Sequence, residues 1–390
     1  MSDKLNSMNS FEDIRPYEDG EVSSVISRLI VDEDFIRFIG RWRLPLVHRF
    51  FPWIVHHLVS RYLRRELGHV SSIDAFQQVV ERNVSRIVDS SITLFRYEGF
   101  ENLSKEKSYI FISNHRDIAG DSMLLDYALY HSGFDTVRIA VGDNLIQRQF
   151  ATDLMKLNKS FFIKRAVEGK KKQYAALMQS SEYIFSSLKE GNSIWIAQSE
   201  GRAKDGVDKT DTAVIKMLTL CTRKKNGRKR EFSESIAEFN IIPMSLAYEF
   251  DPCDAVKARE LASLAATGEY RKAEGEDLLS LVEGLGGFKG HVVLRLGEVL
   301  EGSFDSPEGV AAELDRQIIS NFELFPINYW ALSLIEEARY KDVWNSIKES
   351  VASIEAVEFE QRLNNVEVGA RDQWLKMYAN PVLSRHEVQS

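Results

Sequence analysis

The chain has 390 residues, 44% apolar and 28% charged, an ordinary balance for a soluble globular protein of one large domain with additions or of two domains. Its net charge of -8, from 50 basic and 58 acidic residues, gives no bulk reason to expect nucleic-acid binding. The two cysteines, Cys221 and Cys253, stand in no CxxC or Cys/His ligand spacing, so neither a zinc site nor a disulfide framework is expected, and a reducing compartment fits.

Residues 1–20 are polar and acidic, and read as a disordered tail rather than a signal or transit peptide. Residues 21–90 read as helical. Within them LPLVHRFFPWIVHHLVSRYLRREL (44–67) is apolar and aromatic with His and Arg interleaved. It predicts a helix packed on the main domain, with Pro52 near a bend or start. A helix lying on a membrane surface is the competing reading. No run of about 18 uncharged apolar residues occurs, so no spanning helix is expected.

From 91 the period changes. SITLFRYEG, SYIFISN, TVRIAVG, KSFFIKR, NSIWIAQ, FNIIPMSLAYE and HVVLRLG are short β-branched and aromatic runs that read as strands. Helical stretches separate them. In one, YAALMQSSEYIFSSLKEG (174–191), Leu177, Ile184, Phe185 and Leu188 share a face and Gly191 suits a C-cap. The alternation predicts an α/β domain over 91–300. Two basic runs, KRAVEGKKK (164–172) and TRKKNGRKR (222–230), read as solvated loops, with anionic headgroups or an acidic carrier protein as the sharper alternative. Residues 301–390 are charged and helical, and read as a C-terminal extension.

Ligand sites in α/β sheets gather at strand ends, and here those ends carry polar residues. After SYIFISN come His115, Asp117 and Asp121; after KSFFI come Lys164 and Arg165; after NSIWIAQ come Glu200, Gly201, Arg202 and Lys204. Facing one pocket, they would assist transfer onto a hydroxyl of an anionic acceptor. A neutral histidine takes the hydroxyl proton, worth about 10²–10⁴-fold. A carboxylate on its other ring nitrogen fixes the tautomer and stabilises the imidazolium. Arg as a fork and Lys as a point charge hold a phosphate. No protein nucleophile is needed if the donor is a thioester. Each motif alone has a plainer reading: a structural histidine at a strand end, or a turn with a surface ion pair at Glu200-Gly201-Arg202. A metal site from His115, Asp117 and Asp121 offers too few oxygens for a hard ion. The chain has no GxxxxGK[ST], no GxGxxG after a strand and no GxSxG, which disfavours a nucleotide site and a serine hydrolase.

Taken in order, SNHRDIAGD, KSFFIKR, IAQSEGRAKDG and IIPMSLAYE resemble the four blocks of the glycerolipid acyltransferase family, which includes glycerol-3-phosphate and lysophosphatidate acyltransferases. HVVLRLGEVL is similar to the strand that closes that family's domain, and the resemblance covers about 90–300. It implies a mixed β-sheet flanked by helices (a glycerol-3-phosphate acyltransferase-like fold), here with helical N- and C-terminal extensions. It implies O-acyl transfer from acyl-CoA or acyl-carrier protein to glycerol-3-phosphate or 1-acyl-glycerol-3-phosphate, with no metal and no cofactor beyond that co-substrate. His115 would be the general base and Asp121 its orienting carboxylate, with Asp117 as the other candidate. Arg165 and Arg202 would bind the acceptor phosphate, with Lys164 and Lys204 close by; Glu200 and Gly201 would shape the pocket. Pro243 would set the fourth strand beside the donor channel, or is a plain strand-start proline.

Two departures stand out. The family places four residues between histidine and aspartate; here Gly120 occupies the aspartate's place and Asp121 follows one later. The third block is about one residue short between Gly201 and the next cation. A product that lives in a bilayer, with no spanning helix expected, implies a cytoplasmic enzyme held peripherally on the inner face of the membrane through Phe50–Val55 and the basic run Arg223–Arg230. The alternatives are another lysolipid, amino-lipid or other hydroxyl acceptor, or a non-catalytic homologue that only binds lipid or carrier protein.

Overall fold

The computed structural model describes residues 11–143, 148–165, 167–225, 227–273, 275–352 and 356–390. Among the described residues the first helices are α1 (Asp19–Leu29), α2 (Glu33–Arg43), α3 (Pro45–Phe50), α4 (Pro52–Leu67) and α5 (Ile73–Ser91). Strands and helices then alternate: β1 (Ile92–Glu98), β2 (Ile110–Ser113), α6 (Gly120–His131), β3 (Arg138–Gly142), α7 (Gln149–Leu157), β4 (Ser160–Ile163), α8 (Lys170–Lys189) and β5 (Ile194–Ala197). Next come α9 (Thr212–Leu218), a small hairpin of β6 (Lys224–Lys225) and β7 (Arg228–Lys229), α10 (Phe232–Ile236), β8 (Ile241–Tyr248), α11 (Asp254–Thr267), α12 (Glu276–Gly286) and β9 (Gly290–Leu296). The chain ends in α13 (Pro307–Asn321), α14 (Pro326–Leu334), α15 (Ala338–Ile347), α16 (Val357–Asn364) and α17 (Arg371–Gln389). It forms two compact units, residues 1–86 with 136–195 and residues 87–135 with 196–390. Each of the seven runs read as strands lies over a strand, β1 to β5, β8 and β9.

In the first unit β3 pairs in parallel with β4, Ile139 opposite Ser160, and with the start of β5, Arg138 opposite Ile194. Its core joins Val22, Ile26 and Leu29 of α1, Phe35 of α2, Val55, Val59 and Leu63 of α4, and Phe150 and Leu157 of α7. The buried Asp153 ties α7 to α1: Arg28 donates to it at 2.8 Å and the Tyr17 hydroxyl at 2.9 Å. Burial pushes that carboxyl up, but Arg28 and the neighbouring hydrogen bonds outweigh it and hold it below the usual range.

The expected tail and the predicted face of α8 change here, and the placing of Pro52 near a bend or start holds. Residues 1–10 of the expected tail lie outside the described residues, whereas residues 11–18 are packed in place: Ile14 is buried, its carbonyl accepts from Phe162 N at 3.0 Å, and Asp13 pairs with Lys164. A short acidic stretch can be held by a few specific partners that composition does not reveal. The stretch 44–67 breaks at Phe51, and Pro52 opens α4, where its missing N–H costs nothing. Only one stripe of α4 is packed, Val55, Val59, Leu63 and Leu67; Leu46, Phe50, Phe51, Trp53 and Leu58 stay exposed. In α8 the buried residues are Ala176, Ser180, Ser181, Tyr183, Ile184 and Ser187, so of the predicted face Ile184 is buried while Leu177, Phe185 and Leu188 are only half-buried. Ser180 and Ser187 donate to the carbonyls of Ala176 and Tyr183, so serines can line a core that apolar periodicity assigned to others.

In the second unit the strand order is β1-β9-β8-β2. β1 runs parallel to β9, β9 antiparallel to β8, and β8 parallel to β2, so the sheet is mixed and helices flank it, as expected. β8 is buried along its whole length. Pro243 is not a strand-start residue; it sits inside β8 opposite Ile112. Its carbonyl accepts from Gly297 N at 2.7 Å. The C-terminal helices share this unit's core: Ala247 of β8, Phe250 just beyond it and Ala258 of α11 pack with Ile327 and Trp330 of α14 and Trp374 and Tyr378 of α17. Trp374 is fully buried. Trp374→Ala is therefore expected to destabilise the second unit by about 3–5 kcal/mol, the cost of emptying an aromatic core site. Denaturant unfolding monitored by circular dichroism measures it, and a change below about 1 kcal/mol would show that α17 is not integral to this core.

Candidate active site

The site begins where β2 stops. Asn114 is wholly buried; its amide donates to Leu246 O and its carbonyl accepts from Leu246 N, both at 2.9 Å. The side chain thus continues the β2–β8 ladder past Ser113, and the main chain can turn away at His115 with both polar groups of the buried Leu246 still paired.

His115 Nδ1 lies 2.8 Å from Asp121 Oδ2. The same oxygen accepts from Arg116 N at 2.7 Å and Asp117 N at 3.0 Å, while Asp121 Oδ1 accepts from the Tyr248 hydroxyl at 2.9 Å. Asp121 is 0% exposed and the His115 side chain 15%. A carboxylate on Nδ1 selects the tautomer with its lone pair on Nε2, the form a base requires. Asp117 serves the backbone instead, where its Oδ1 accepts from Ala119 N at 3.0 Å and Gly120 N at 2.6 Å and closes the turn that starts α6. Burial pushes the Asp117 carboxyl up, and the charge of Asp121 adds to that. Of the two aspartates left open by the spacing, the imidazole bonds Asp121. The extra residue is Gly120, where a Cβ would come within 2.9 Å of Asp117 Oδ1 and 3.1 Å of the Tyr248 hydroxyl.

The peptide after His115 is gripped from both sides. Arg116 N donates to Asp121, and Arg116 O accepts from Lys257 Nζ at 2.6 Å. Lys257 is buried on α11 and also pairs with Asp251. Burial pushes the Asp251 carboxyl up, but Lys257 outweighs it and holds it below the usual range. The Arg116 guanidinium turns the other way and donates to Asp208 Oδ2 at 2.6 Å and Ala203 O at 3.2 Å. Burial pushes Asp208 up to about 6 against the pull of Arg116.

The loop after β5 is tied to the same turn. Gln198 N donates to Ser113 O and Ala203 N to His115 O, both at 2.8 Å. This brings Glu200, Gly201, Arg202 and Lys204 to the stretch that holds His115. Gly201 has φ +77° and is exposed. Arg202 has a buried Nη1 with no hydrogen-bond partner among the described residues, and its charge acts on Asp251. Lys204 pairs with Glu260 of α11, so of these two cations the one with an unspent buried donor is Arg202. The far side of the loop is anchored by α17, where Asn380 donates to Asp205 O at 2.8 Å. A Cβ on Gly206 would fall 2.1 Å from Met377 O, so only glycine lets the two backbones meet. A small, partly open pocket lined by Arg116, Lys204, Tyr248 and Tyr378 holds about 30 Å³, room for water.

Lys164 and Arg165 belong to the first unit, at the end of β4. Lys164 pairs with Asp13, and Arg165 N donates to Asp143 Oδ1 at 3.1 Å. The basic run 222–230 is the β6–β7 hairpin rather than a plain loop, although Asn226 lies outside the described residues. Arg230 there is taken up by Glu238 at 2.9 Å. Sequence reasoning missed Asn114, Arg116, Asp208, Tyr248 and Lys257. Tyr248 lies near the end of the fourth block and Asn114 near the start of the first, so their motif positions were the available signals; nothing local marks Lys257.

Residues 94–246 match the family model described as Acyltransferase. The chain is 28% identical over 201 residues to a glycerol-3-phosphate acyltransferase of Baumannia cicadellinicola subsp. Homalodisca coagulata; the match spans 50% of this chain and 22% of that protein. The crystal structure of the 1-acyl-sn-glycerophosphate (LPA) acyltransferase of Thermotoga maritima aligns over 73% of this chain and 92% of its own, at 14% identity and a TM-score of 0.38. The His115–Asp121 block and the Glu200–Lys204 block lie inside the segment that matches the acyltransferase model, and the β8 block lies at its edge, so this segment is similar to acyltransferases, while the chain spans about a fifth of the length of the curated relative it matches.

Proposed function

We propose that this chain is an O-acyltransferase that moves a fatty acyl group from a thioester, acyl-CoA or acyl-carrier protein, to a hydroxyl of glycerol-3-phosphate or 1-acyl-glycerol-3-phosphate. The observation that carries the reading is the 2.8 Å contact between His115 Nδ1 and a wholly buried Asp121. With Nδ1 committed, Nε2 takes the acceptor's hydroxyl proton as its oxygen attacks the thioester carbonyl. The C–O bond forms, the C–S bond breaks, and the imidazolium returns its proton to the departing thiolate. Asp121 stabilises the imidazolium in between. Arg202 supports the acceptor assignment: an unpaired buried donor costs about 1–3 kcal/mol, and a phosphate oxygen would relieve it. The ordered dyad argues for catalysis over a homologue that only binds lipid.

His115→Ala is expected to keep the fold and lower turnover by at least about 10²-fold, with Asp121→Asn approaching that loss and Asp117→Asn falling well short of it. Turnover by purified variants, with circular dichroism for folding, decides; a folded His115→Ala protein at full activity removes the base assignment. Arg202→Ala should raise KM for a phosphorylated acceptor by about 10–100-fold, the worth of a hydrogen bond to a charged group, and KM for the thioester much less. Equal changes for both substrates would make Arg202 structural.

The acceptor or its product is an amphiphile, and the first unit offers a surface suited to lipid. On α3 no residue is buried, Leu46 is 74% exposed and Trp53 on α4 71%. Residues 35–65 contain no acidic residue and carry Arg37, Arg41, Arg43, Arg49, Arg61, Arg64 and Arg65. Aromatic insertion beside cations is the chemistry of an anionic bilayer surface, each cation adding about 1 kcal/mol. The chain should co-sediment with anionic vesicles, with partial release at high salt, and Phe51→Ser with Trp53→Ser should abolish the salt-resistant part. Unchanged binding by that double variant would clear these helices of the role.

A further inference from the structure

The acyl-transfer reading leaves one partner of Asp121 without a role. His115 and the N–H groups of Arg116 and Asp117 all converge on Asp121 Oδ2. The other oxygen accepts from the hydroxyl of Tyr248, the last residue of β8, at 2.9 Å. A carboxylate held through one oxygen can still swing about its Cβ–Cγ bond. A donor on the second oxygen locks the plane, and with it the lone pair that addresses Nδ1. The donor is itself rigid: Tyr248 is 7% exposed, and its backbone lies opposite Val292 in the β8–β9 ladder.

We propose that Tyr248 is a positioning residue for the base, the third member of a hydrogen-bonded chain His115–Asp121–Tyr248 that fixes the Asp121 carboxylate plane and sets the basicity of the imidazole. The proposal rests on His115 being the base. Gly120 supports it independently. The residue inserted between His115 and Asp121 is the one whose missing Cβ leaves room for this hydroxyl, at 3.1 Å. Any larger residue would press on the phenol and on Asp117 together. Burial pushes the Tyr248 hydroxyl well above its ordinary value, and the charges of Asp121, Asp117 and Asp251 push it further, so it stays a donor through the working pH range.

The sign of the coupling follows from charge. The phenol draws negative charge out of Asp121. Without it the carboxylate is more basic, holds the imidazolium more tightly and raises the proton affinity of His115. A side chain that only filled space would leave that affinity alone.

Tyr248→Phe keeps the ring and removes the hydroxyl. The test follows the His115 ring by NMR titration of the isotope-labelled, substrate-free protein, the signal assigned by its loss in His115→Ala, alongside kcat and both KM values. Tyr248→Phe should raise the His115 pKa by about half a unit to one unit. It should lower kcat by about 10–100-fold with each KM within about twofold. In an Asp121→Asn background the same change should cost no more than about twofold, since the chain is already broken. Gly120→Ala, which crowds the hydroxyl, should shift the titration in the same direction and serves if Tyr248→Phe does not fold. An unmoved His115 titration in the folded variant overturns the proposal, whatever happens to kcat. If instead His115→Ala proves fully active, the base reading fails on its own, and the titration still reports whether the chain exists.

Discussion

In the second unit the base of the proposed chemistry is held by the Asp121 carboxylate. It is wholly buried, and a buried carboxylate is tolerated only when its lone pairs are filled. Two peptide N–H groups, one imidazole and one phenol fill them. These donors come from different places: the turn after β2 supplies the peptides and the imidazole, and β8 supplies the phenol. The parallel register of β2 and β8, Ser113 opposite Met244, is therefore a condition for the site, and the Asn114 amide carries that register on to Leu246. A slip of one residue would turn each side chain to the opposite face and leave Asp121 short of a partner.

A second layer of charge fixes the same turn from outside. Lys257 holds the Arg116 carbonyl and Asp251, and Arg116 reaches back to Asp208 in the loop after β5. Such buried ions are costly in isolation and are worth keeping where a single backbone geometry is needed. Here they lock the peptide that follows the imidazole and the loop that carries Glu200 and Arg202, so the two motifs are joined by structure although some 80 residues apart in the chain.

Much of this is legible in the sequence, and the gaps have physical causes. The strands show because short β-branched runs bounded by polar residues have few other folded forms. His115 and its carboxylate show because they punctuate one such run. The choice between Asp117 and Asp121 does not, since it turns on whether the added residue is absorbed in the turn or in the helix; Asp117 Oδ1, taken up by the N–H groups of Ala119 and Gly120 in the turn before α6, decides it. The buried face of α8 escapes apolar periodicity because a serine that bonds its own helix can be buried without looking apolar. The hold of α11 and α17 on the site is invisible, because Lys257 and Asn380 act from distant points of the chain and resemble surface residues in sequence.

The C-terminal helices follow from the same constraint. Asp251 and Asp254 lie just after β8, close to the turn, and their polar groups also need partners. Tyr378 of α17 donates to Asp254 at 2.8 Å and its oxygen accepts from Asp251 N at 3.0 Å. Arg362 of α16 donates to Asp254 at 2.8 Å and lies 4.7 Å over the Phe250 ring. A helix end this rich in carboxylates would open to water if left bare. Water there would reach Lys257 and weaken its grip on the Arg116 carbonyl, because the same bond is worth less in a high dielectric. Tyr378 and Arg362 therefore bear on the His115 turn from behind, by covering carboxylates next to the Lys257–Asp251 pair.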